Sequence, residues 1–141
     1  MELPRYHRLR HTFYRLQASR CRGCAQIHFP PRAYCLACGS AEIEPLRLQG
    51  RGRVLSFTRV YQPARGFTDS AGSLTALIEL REGVRVTAQL TDIDPEEIAI
   101  GQEVEMVIRR LRSDTECGLI VYGYKFRPLL RPSQRPGATE F

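Results

Sequence analysis

CRGCAQIHFPPRAYCLAC, residues 21–38, holds four of the five cysteines of this 141-residue chain. They form two Cys-x-x-Cys pairs, Cys21 with Cys24 and Cys35 with Cys38, and ten residues separate the pairs. Each tight turn can offer two sulfurs to the same ion, and two facing pairs complete a tetrahedral site. The spacing therefore predicts one metal ion held by four thiolates.

The predicted ion is a structural zinc, because four protein ligands leave no open position for water or substrate. A rubredoxin-like iron centre is the alternative that the spacing leaves open. Disulfides are disfavoured in the cytosol, and a redox Cys-x-x-Cys motif needs one pair at a helix start rather than two facing pairs. Zinc binding contributes roughly 10–16 kcal/mol of apparent free energy at neutral pH, enough to fold a segment expected to have almost no core.

The remaining composition indicates an ordinary globular chain. Its hydrophobic content of 43% is sufficient for a packed core. No apolar run approaches the roughly 18 residues that a membrane-spanning helix needs, and the N-terminal stretch MELPRYHRLRHTFYRLQ has no apolar signal-peptide centre. We therefore expect a cytoplasmic protein without a membrane segment.

The formal net charge of +6 is unevenly distributed along the chain. Residues 1–49 carry a net +5, residues 50–126 carry −1, and residues 127–141 carry +2. Four thiolates on a divalent metal would add −2 to the first of these segments. The basic surplus therefore lies outside residues 50–126. A nucleic-acid interface on this strand-rich body would require positive charge within that segment.

Residues 1–18 are predicted to form an N-terminal amphipathic helix, with Pro4 suited to its first turn. A stripe of apolar side chains recurs at helical spacing along one face. Its members are Tyr6, Leu9, Phe13 and Leu16. A helix this short is marginal alone, so the stripe must be buried against either the body of this chain or a partner protein.

After the predicted ribbon at residues 19–49, the pattern changes to that of strands. We predict strands at 54–61, 74–80, 84–90, 104–108 and 120–126. A short helix capped by Asp94 is predicted between the third and fourth strands, ending at Gly101. This order is that of a five-stranded OB-fold barrel over 50–128, followed by a flexible tail at 129–141. The fold class is thus mainly β.

A set of short motifs resembles a family of small proteins, long catalogued as a domain of unknown function, that join a zinc ribbon to an OB fold. The motifs are Tyr14-Arg15-Leu16, Arg20-Cys21-Arg22-Gly23-Cys24, Phe29-Pro30-Pro31-Arg32, Cys35-Leu36-Ala37-Cys38-Gly39, Gly50-Arg51-Gly52-Arg53-Val54-Leu55-Ser56-Phe57-Thr58, Gly83-Val84-Arg85-Val86, Gln89-Leu90-Thr91-Asp92, Gly101 and Tyr124-Lys125-Phe126-Arg127-Pro128. Together they span nearly all of residues 6–128.

The resemblance implies a non-catalytic accessory subunit in a hetero-oligomer. Family members bind thiolase-like condensing enzymes or other acyl-CoA-processing enzymes. The barrel would contact acyl-CoA or bridge active sites, and the ribbon and first helix would serve assembly. The stripe residues Tyr6, Leu9, Phe13 and Leu16 are then the candidate partner contacts.

Two loops are the candidate ligand contacts, because OB folds commonly bind through the loops after their first and fourth strands. In the first loop, Arg65 can pair with a CoA phosphate while Phe67 stacks on adenine or packs against pantetheine. The second loop offers the cations Arg109, Arg110 and Arg112. The alternative for both loops is simple solvation.

An independent catalytic site is not expected. The three histidines, His7, His11 and His28, all precede the barrel, and we interpret His28 as ribbon packing or surface. No phosphate-binding glycine loop or nucleophile elbow is present.

The competing hypothesis is single-stranded nucleic-acid binding, a common role of zinc ribbons and OB barrels. Its stacking platforms would be Phe57, Tyr61, Tyr122 and Tyr124. The charge of −1 over residues 50–126 argues against it, since phosphate contacts supply much of such affinity.

Overall fold

The structure, a computed structural model, describes residues 3–62, 72–113 and 118–130. Within these ranges the chain forms two short helices followed by eight strands. They are α1 (Leu3–Arg8), α2 (Arg10–Arg15), β1 (Gln17–Cys21), β2 (Ile27–His28), β3 (Ile43–Arg47), β4 (Arg51–Val60), β5 (Ser73–Leu80), β6 (Arg85–Leu90), β7 (Glu103–Ser113) and β8 (Ile120–Pro128). Neither helix is long enough to cross a bilayer.

The N-terminal helix is shorter than predicted and interrupted. Leu9 separates α1 from α2, and Leu16 ends α2 in the left-handed conformation at φ 46°. The backbone N–H of Leu16 donates to the carbonyl of His11 there, and a left-handed residue cannot continue a helix. The prediction of one helix through residue 18 was wrong because Gln17 already begins a strand that pairs with the distant β3.

A small three-stranded sheet with the order β2-β1-β3 forms the ribbon. β1 is its centre, antiparallel to both neighbours, with Ser19 opposite His28 and Cys21 opposite Ile43. The buried Ser19 hydroxyl accepts a hydrogen bond from the backbone N–H of Arg32 at 3.0 Å. This bond ties the sheet to the segment that leads to the second cysteine pair.

The predicted five-stranded barrel is confirmed. Its strands close in the order β4-β5-β6-β8-β7, the connectivity of an OB fold. Closure depends on antiparallel pairing of β4 with β7 and on a parallel contact of β6 with β8 at Leu90 and Phe126. Phe126 is fully buried at the centre of the barrel.

Alternation along the strands fills the barrel. The buried residues of β5 and β6 face the interior at every second position, as half-buried strands should. They are Leu74, Ala76, Ile78, Leu80, Val86, Ala88 and Leu90. Val54 and Val104 complete the packing from β4 and β7.

The ribbon and the barrel share this core. Leu16, Ala18 and Leu48 are buried in the same apolar cluster as the barrel residues. Phe29 of the ribbon packs edge-on against Tyr124 of β8, with ring centroids 6.0 Å apart. The expectation of a segment with almost no core is therefore corrected: its core is borrowed from the barrel.

The short helix predicted between the third and fourth barrel strands is a series of turns instead. Asp94 caps the first turn as predicted, since its carboxylate accepts the N–H of Glu96 at 3.1 Å. The chain then pairs with β4 at Val54. The N–H of Gly101 donates to the carbonyl of Val54, and the carbonyl of Gln102 accepts from the N–H of Val54. Residues 95–97 form a single turn, in which the N–H of Glu97 donates to the carbonyl of Asp94, and the chain does not continue it as a helix.

Candidate metal centre and ligand contacts

The four cysteines of the ribbon converge on one point. Their sulfurs all lie within 4.8 Å of one another, with Cys21 to Cys38 at 3.5 Å and Cys24 to Cys35 at 3.4 Å. Zinc–sulfur bonds of about 2.3 Å in a tetrahedron place the sulfurs roughly 3.8 Å apart. The donor set and its spacing therefore fit a single tetrahedral zinc.

The first cysteine pair sits in a tight, hydrogen-bonded turn at the end of β1. The backbone N–H of Cys21 donates to the carbonyl of Gln26, and the N–H of Ala25 donates back to the carbonyl of Cys21. Ala25 adopts a left-handed conformation at φ 61°. The turn thereby points the sulfurs of Cys21 and Cys24 in one direction.

The second pair repeats the same turn without a flanking strand. The N–H of Cys35 donates to the carbonyl of Ser40, and the N–H of Gly39 donates to the carbonyl of Cys35. Gly39 takes the left-handed position, at φ 72°, that Ala25 takes in the first turn. The two turns are thus local copies of one geometry facing each other across the metal.

His28 supports the site from beside the ligands. Its Nε2 lies 3.3 Å from the sulfur of Cys35, and its side chain is buried. The hydrogen bond from this ring is the main cause that lowers the pKa of the Cys35 thiol to about 5. The sequence indicated only ribbon packing or a surface position for His28, and the one signal of this role was its place between the two cysteine pairs.

Without a cation, the four thiols differ in how readily they ionise, since the pKa of Cys21 and of Cys35 is lowered while that of Cys24 and of Cys38 is raised. The backbone N–H of Cys24 is the largest cause that lowers the pKa of Cys21. At Cys38 the N–H of Ser40 favours the thiolate, but the surrounding thiols raise its pKa to about 12. A divalent cation removes this conflict, because coordination deprotonates a thiol outright.

The predicted partner stripe does not remain on one free surface. The rings of Tyr6 and Phe13 stack at 5.6 Å between centroids and are half-buried, and Leu9 is 37% exposed at the helix break. Leu16 is fully buried in the chain's own core. We therefore remove Leu16 from the candidate partner contacts, since its side chain already has an intramolecular role.

The candidate ligand residues fall in two places. Arg65 and Phe67 lie outside the described residues. Arg109, Arg110 and Arg112 lie within strand β7 rather than in a loop, because the β7–β8 hairpin pairs as far as Ser113. The guanidinium of Arg109 forms an ion pair with Asp92 at 2.7 Å.

Lys125 adds a cation that the sequence analysis did not select. It lies opposite Val107 on the same hairpin. Burial lowers the pKa of Lys125, and the nearby charges of Arg110 and Arg109 lower it further. In the sequence, Lys125 is distinguished only by its residue type, because it is the only lysine in a chain with twenty arginines.

A cleft of about 240 Å³ opens where β6 and the β7–β8 hairpin diverge. Phe13, Leu111 and Tyr124 form its apolar walls, and Thr87 and Gln89 form its polar side. Within the described residues, the side-chain oxygen of Gln89 is buried without a hydrogen-bond partner. The cleft is therefore mainly apolar, and one of the residues that line it has a side-chain acceptor without a donor.

Comparison with known proteins agrees with both halves of the fold. The family described as the ChsH2 rubredoxin-like zinc ribbon domain matches residues 14–44. The family described as the ChsH2 C-terminal OB-fold domain matches residues 47–109. Together with the sulfur geometry, these matches confirm a zinc ribbon whose four cysteines are positioned to bind one metal ion.

Relatives match over most of this chain. A DUF35 domain-containing scaffold protein of Pyrococcus furiosus is 45% identical over 131 residues, covering 93% of this chain and 96% of that protein. The benzoylsuccinyl-CoA thiolase subunit BbsA of Thauera aromatica is 32% identical, covering 81% and 76%. The solved structure of the Ltp2-ChsH2(DUF35) aldolase aligns with a TM-score of 0.68 at 29% identity, covering 88% of this chain and 89% of that one.

Proposed function

Because this chain belongs to the DUF35 family and matches its zinc ribbon at residues 14–44 and its OB fold at 47–109, we propose that it is a non-catalytic scaffold subunit of an acyl-CoA-processing enzyme. The observation that carries the proposal is 45% identity over nearly the whole length of a DUF35 scaffold protein. The similarity to a thiolase subunit makes a thiolase-like enzyme the first candidate partner.

The metal centre supports a structural rather than a chemical role for the ribbon. All four positions of a tetrahedral ion would be taken by Cys21, Cys24, Cys35 and Cys38, so no site remains for a substrate oxygen. When bound, zinc would supply cross-linking of the two cysteine turns. The ribbon would then act by holding β1 and the N-terminal helices against the barrel.

We also propose that the barrel contacts acyl-CoA. Arg110 and Lys125 place positive charge on the β7–β8 hairpin, which suits the phosphates of CoA. The nearby cleft suits a thin chain that is apolar but contains amide groups, since an amide N–H would satisfy the buried oxygen of Gln89. Arg65, Phe67 and Arg112 stay predictions for the same ligand.

Single-stranded nucleic acid remains the second candidate. Tyr61 is 72% exposed, and the guanidinium of Arg59 lies 5.4 Å from the centroid of its ring. An exposed ring beside a cation is the arrangement that stacks on a base. Against this candidate, the relatives described above are named as scaffolds and enzyme subunits.

A tagged full-length chain purified under native expression tests the scaffold role. We expect an acyl-CoA-processing enzyme to co-purify in a fixed molar ratio, identified by mass spectrometry. Purification of the chain without any such enzyme would contradict the proposal.

Calorimetry with acetyl-CoA and with an oligothymidylate tests the ligand. We expect acetyl-CoA binding that Lys125→Ala weakens several-fold and that Arg47→Ala, at an exposed arginine of the ribbon, leaves unchanged. Salt-sensitive binding of the oligonucleotide without binding of acetyl-CoA would favour the second candidate.

A further inference from the structure

A groove of about 260 Å³ runs between the N-terminal helices and the start of β8. Tyr6, Phe13 and Tyr14 line it from the helical side, and Ile120 and Tyr122 line it from the strand. Helix α2 packs on β8, and Leu3, Tyr6 and His7 of α1 line the groove beside it. A shallow apolar trough is therefore left open along the junction.

Exposed apolar side chains concentrate around this groove. Of the eleven large apolar residues that are exposed in the described part of the chain, five line it. They are Leu3, Tyr14, Leu119, Ile120 and Tyr122. Scattered exposed apolar residues are normal, but a contiguous patch of this kind marks an interaction site.

The helical side of the groove has one sign of charge. Residues 3–16 contain four arginines and two histidines but no aspartate or glutamate. Arg8, Arg10 and Arg15 are exposed, and Arg10 lines the groove itself. Complementary potentials steer association and exclude wrong partners, so the surface that covers this groove should be rimmed by carboxylates.

We propose that this groove is the docking surface for the enzyme partner, and that it receives an apolar segment flanked by acidic residues. The inference rests on the proposed scaffold function and gives it a location. It places the contact on the groove that Tyr14, Ile120 and Tyr122 share with Tyr6 and Phe13 of the predicted stripe. Leu16 is excluded, because it is buried within the chain.

The composition of the patch favours a protein partner. Tyrosine, leucine and arginine beside a concave apolar centre are typical of interfaces with a buried core and a polar rim. The single sign of charge argues against a second copy of this chain seated on the same groove, since a two-fold interface would bring the arginines of both copies together.

Two variants in the groove provide the test, measured with the full-length chain and the acyl-CoA enzyme that co-purifies with it. Tyr14→Asp and Ile120→Asp place a carboxylate in the trough from its two sides. We expect each to weaken the complex by roughly tenfold or more, as for a buried interface residue. Ile100→Asp is the matched control, because Ile100 is 70% exposed in the turn before Gly101 and does not line the groove. It should leave the affinity unchanged.

A double variant tests the contribution of the arginines. Arg8→Glu combined with Arg10→Glu brings the arginine and glutamate charges of residues 3–16 to zero, so it should slow association and largely abolish the salt dependence of binding, while thermal unfolding and zinc content stay as in the unmodified chain. Both residues are exposed, so these substitutions leave the core untouched.

The outcomes separate the inference from the proposed function. Unchanged binding of Tyr14→Asp, Ile120→Asp and the double arginine variant would overturn the inference while the scaffold function stands. Absence of any co-purifying acyl-CoA enzyme would overturn both. A dimer of the unmodified chain that Ile120→Asp converts to monomer, measured by light scattering, would show that a second copy occupies the groove and would also overturn the inference.

Discussion

In the ribbon, β1 and β2 bury Ala18, Ser19, Cys21 and His28 and β3 buries no residue, whereas every strand of the barrel contributes at least one buried apolar side chain. Two of the four buried ribbon residues are a metal ligand and the histidine beside another ligand. The barrel thus gains its order from apolar burial, and the ribbon gains much of its order from the ion. This difference predicts which region each substitution should affect.

The largest effect should follow loss of a ligand. Cys24→Ser should reduce bound zinc from one equivalent to nearly none and lower the solubility of the protein, because closure of the tetrathiolate contributes roughly 10–16 kcal/mol to such sites. The strand signal of the barrel in circular dichroism should persist, since its core needs no metal.

Metal content and circular dichroism of Cys24→Ser are measured on the same sample. The matched control is Cys117→Ser at the fifth cysteine, which lies outside both Cys-x-x-Cys pairs and should leave zinc at one equivalent. Full zinc in Cys24→Ser would contradict the ligand set. Collapse of the barrel signal would show that the two regions do not differ as described.

The next effect tests the junction between the two regions. Leu16→Ala removes a fully buried side chain from the cluster that the ribbon and barrel share, so it should lower the free energy of unfolding by about 2–5 kcal/mol. Urea unfolding checks this value. Leu9→Ala, at a half-exposed position of the same stripe, should cost under about 1 kcal/mol. Equal losses would mean that the core does not extend into the helical segment.

A smaller effect concerns the support of the metal ligands. His28→Phe removes the donor at 3.3 Å from the Cys35 sulfur while keeping a ring in the same space. We expect zinc affinity to fall about 10–100-fold, as for other residues that hold a ligand in place, and zinc transfer to a chromophoric chelator to accelerate. His28→Gln, which keeps a side-chain N–H, should recover part of the loss. Identical rates of zinc transfer in the unmodified protein, His28→Phe and His28→Gln would show that His28 only packs beside the site.

What could be predicted from the sequence follows the range of the interactions involved. Cysteine spacing and strand alternation are local, so the ligands and the five barrel strands were predicted correctly. The end of the N-terminal helix depends on the pairing of Gln17 with Arg47, thirty residues away. No local sequence pattern indicates this pairing. Arg109 and Arg110 looked like loop residues because nothing local shows how far a hairpin continues its pairing.

Prediction of the candidate site from the sequence is limited in the same way. His28 gains its role from a strand that brings it beside Cys35, a contact that sequence distance hides. Lys125 sits between the core residues Tyr124 and Phe126, so its position reads as barrel packing until its neighbours on β7 are known. The groove at Ile120 forms where α2 packs on β8 and residues of α1 line the space beside them.

The smallest effect compares the two cysteine turns with each other. Both need a left-handed residue after the second cysteine, but the first uses Ala25 and the second uses Gly39. A Cβ at such a position costs about 1–2 kcal/mol in the folded state. Replacing alanine by glycine removes this cost, but part of the gain in stability is lost because glycine has more conformational freedom in the unfolded chain. Ala25→Gly should therefore stabilise the zinc-loaded protein by under about 1 kcal/mol.

Gly39→Ala is the reciprocal variant. A Cβ at Gly39 meets no atom within 4 Å, so backbone strain alone should destabilise the protein by about 1 kcal/mol. Urea unfolding of both variants with zinc bound measures the two shifts. If the two turns share one geometry, Ala25→Gly and Gly39→Ala must change the free energy of unfolding in opposite directions. A loss in Ala25→Gly would mean that the β1 pairing beside Cys21 already holds the first turn in its left-handed form, so that only the second turn depends on the conformational freedom of its own residue.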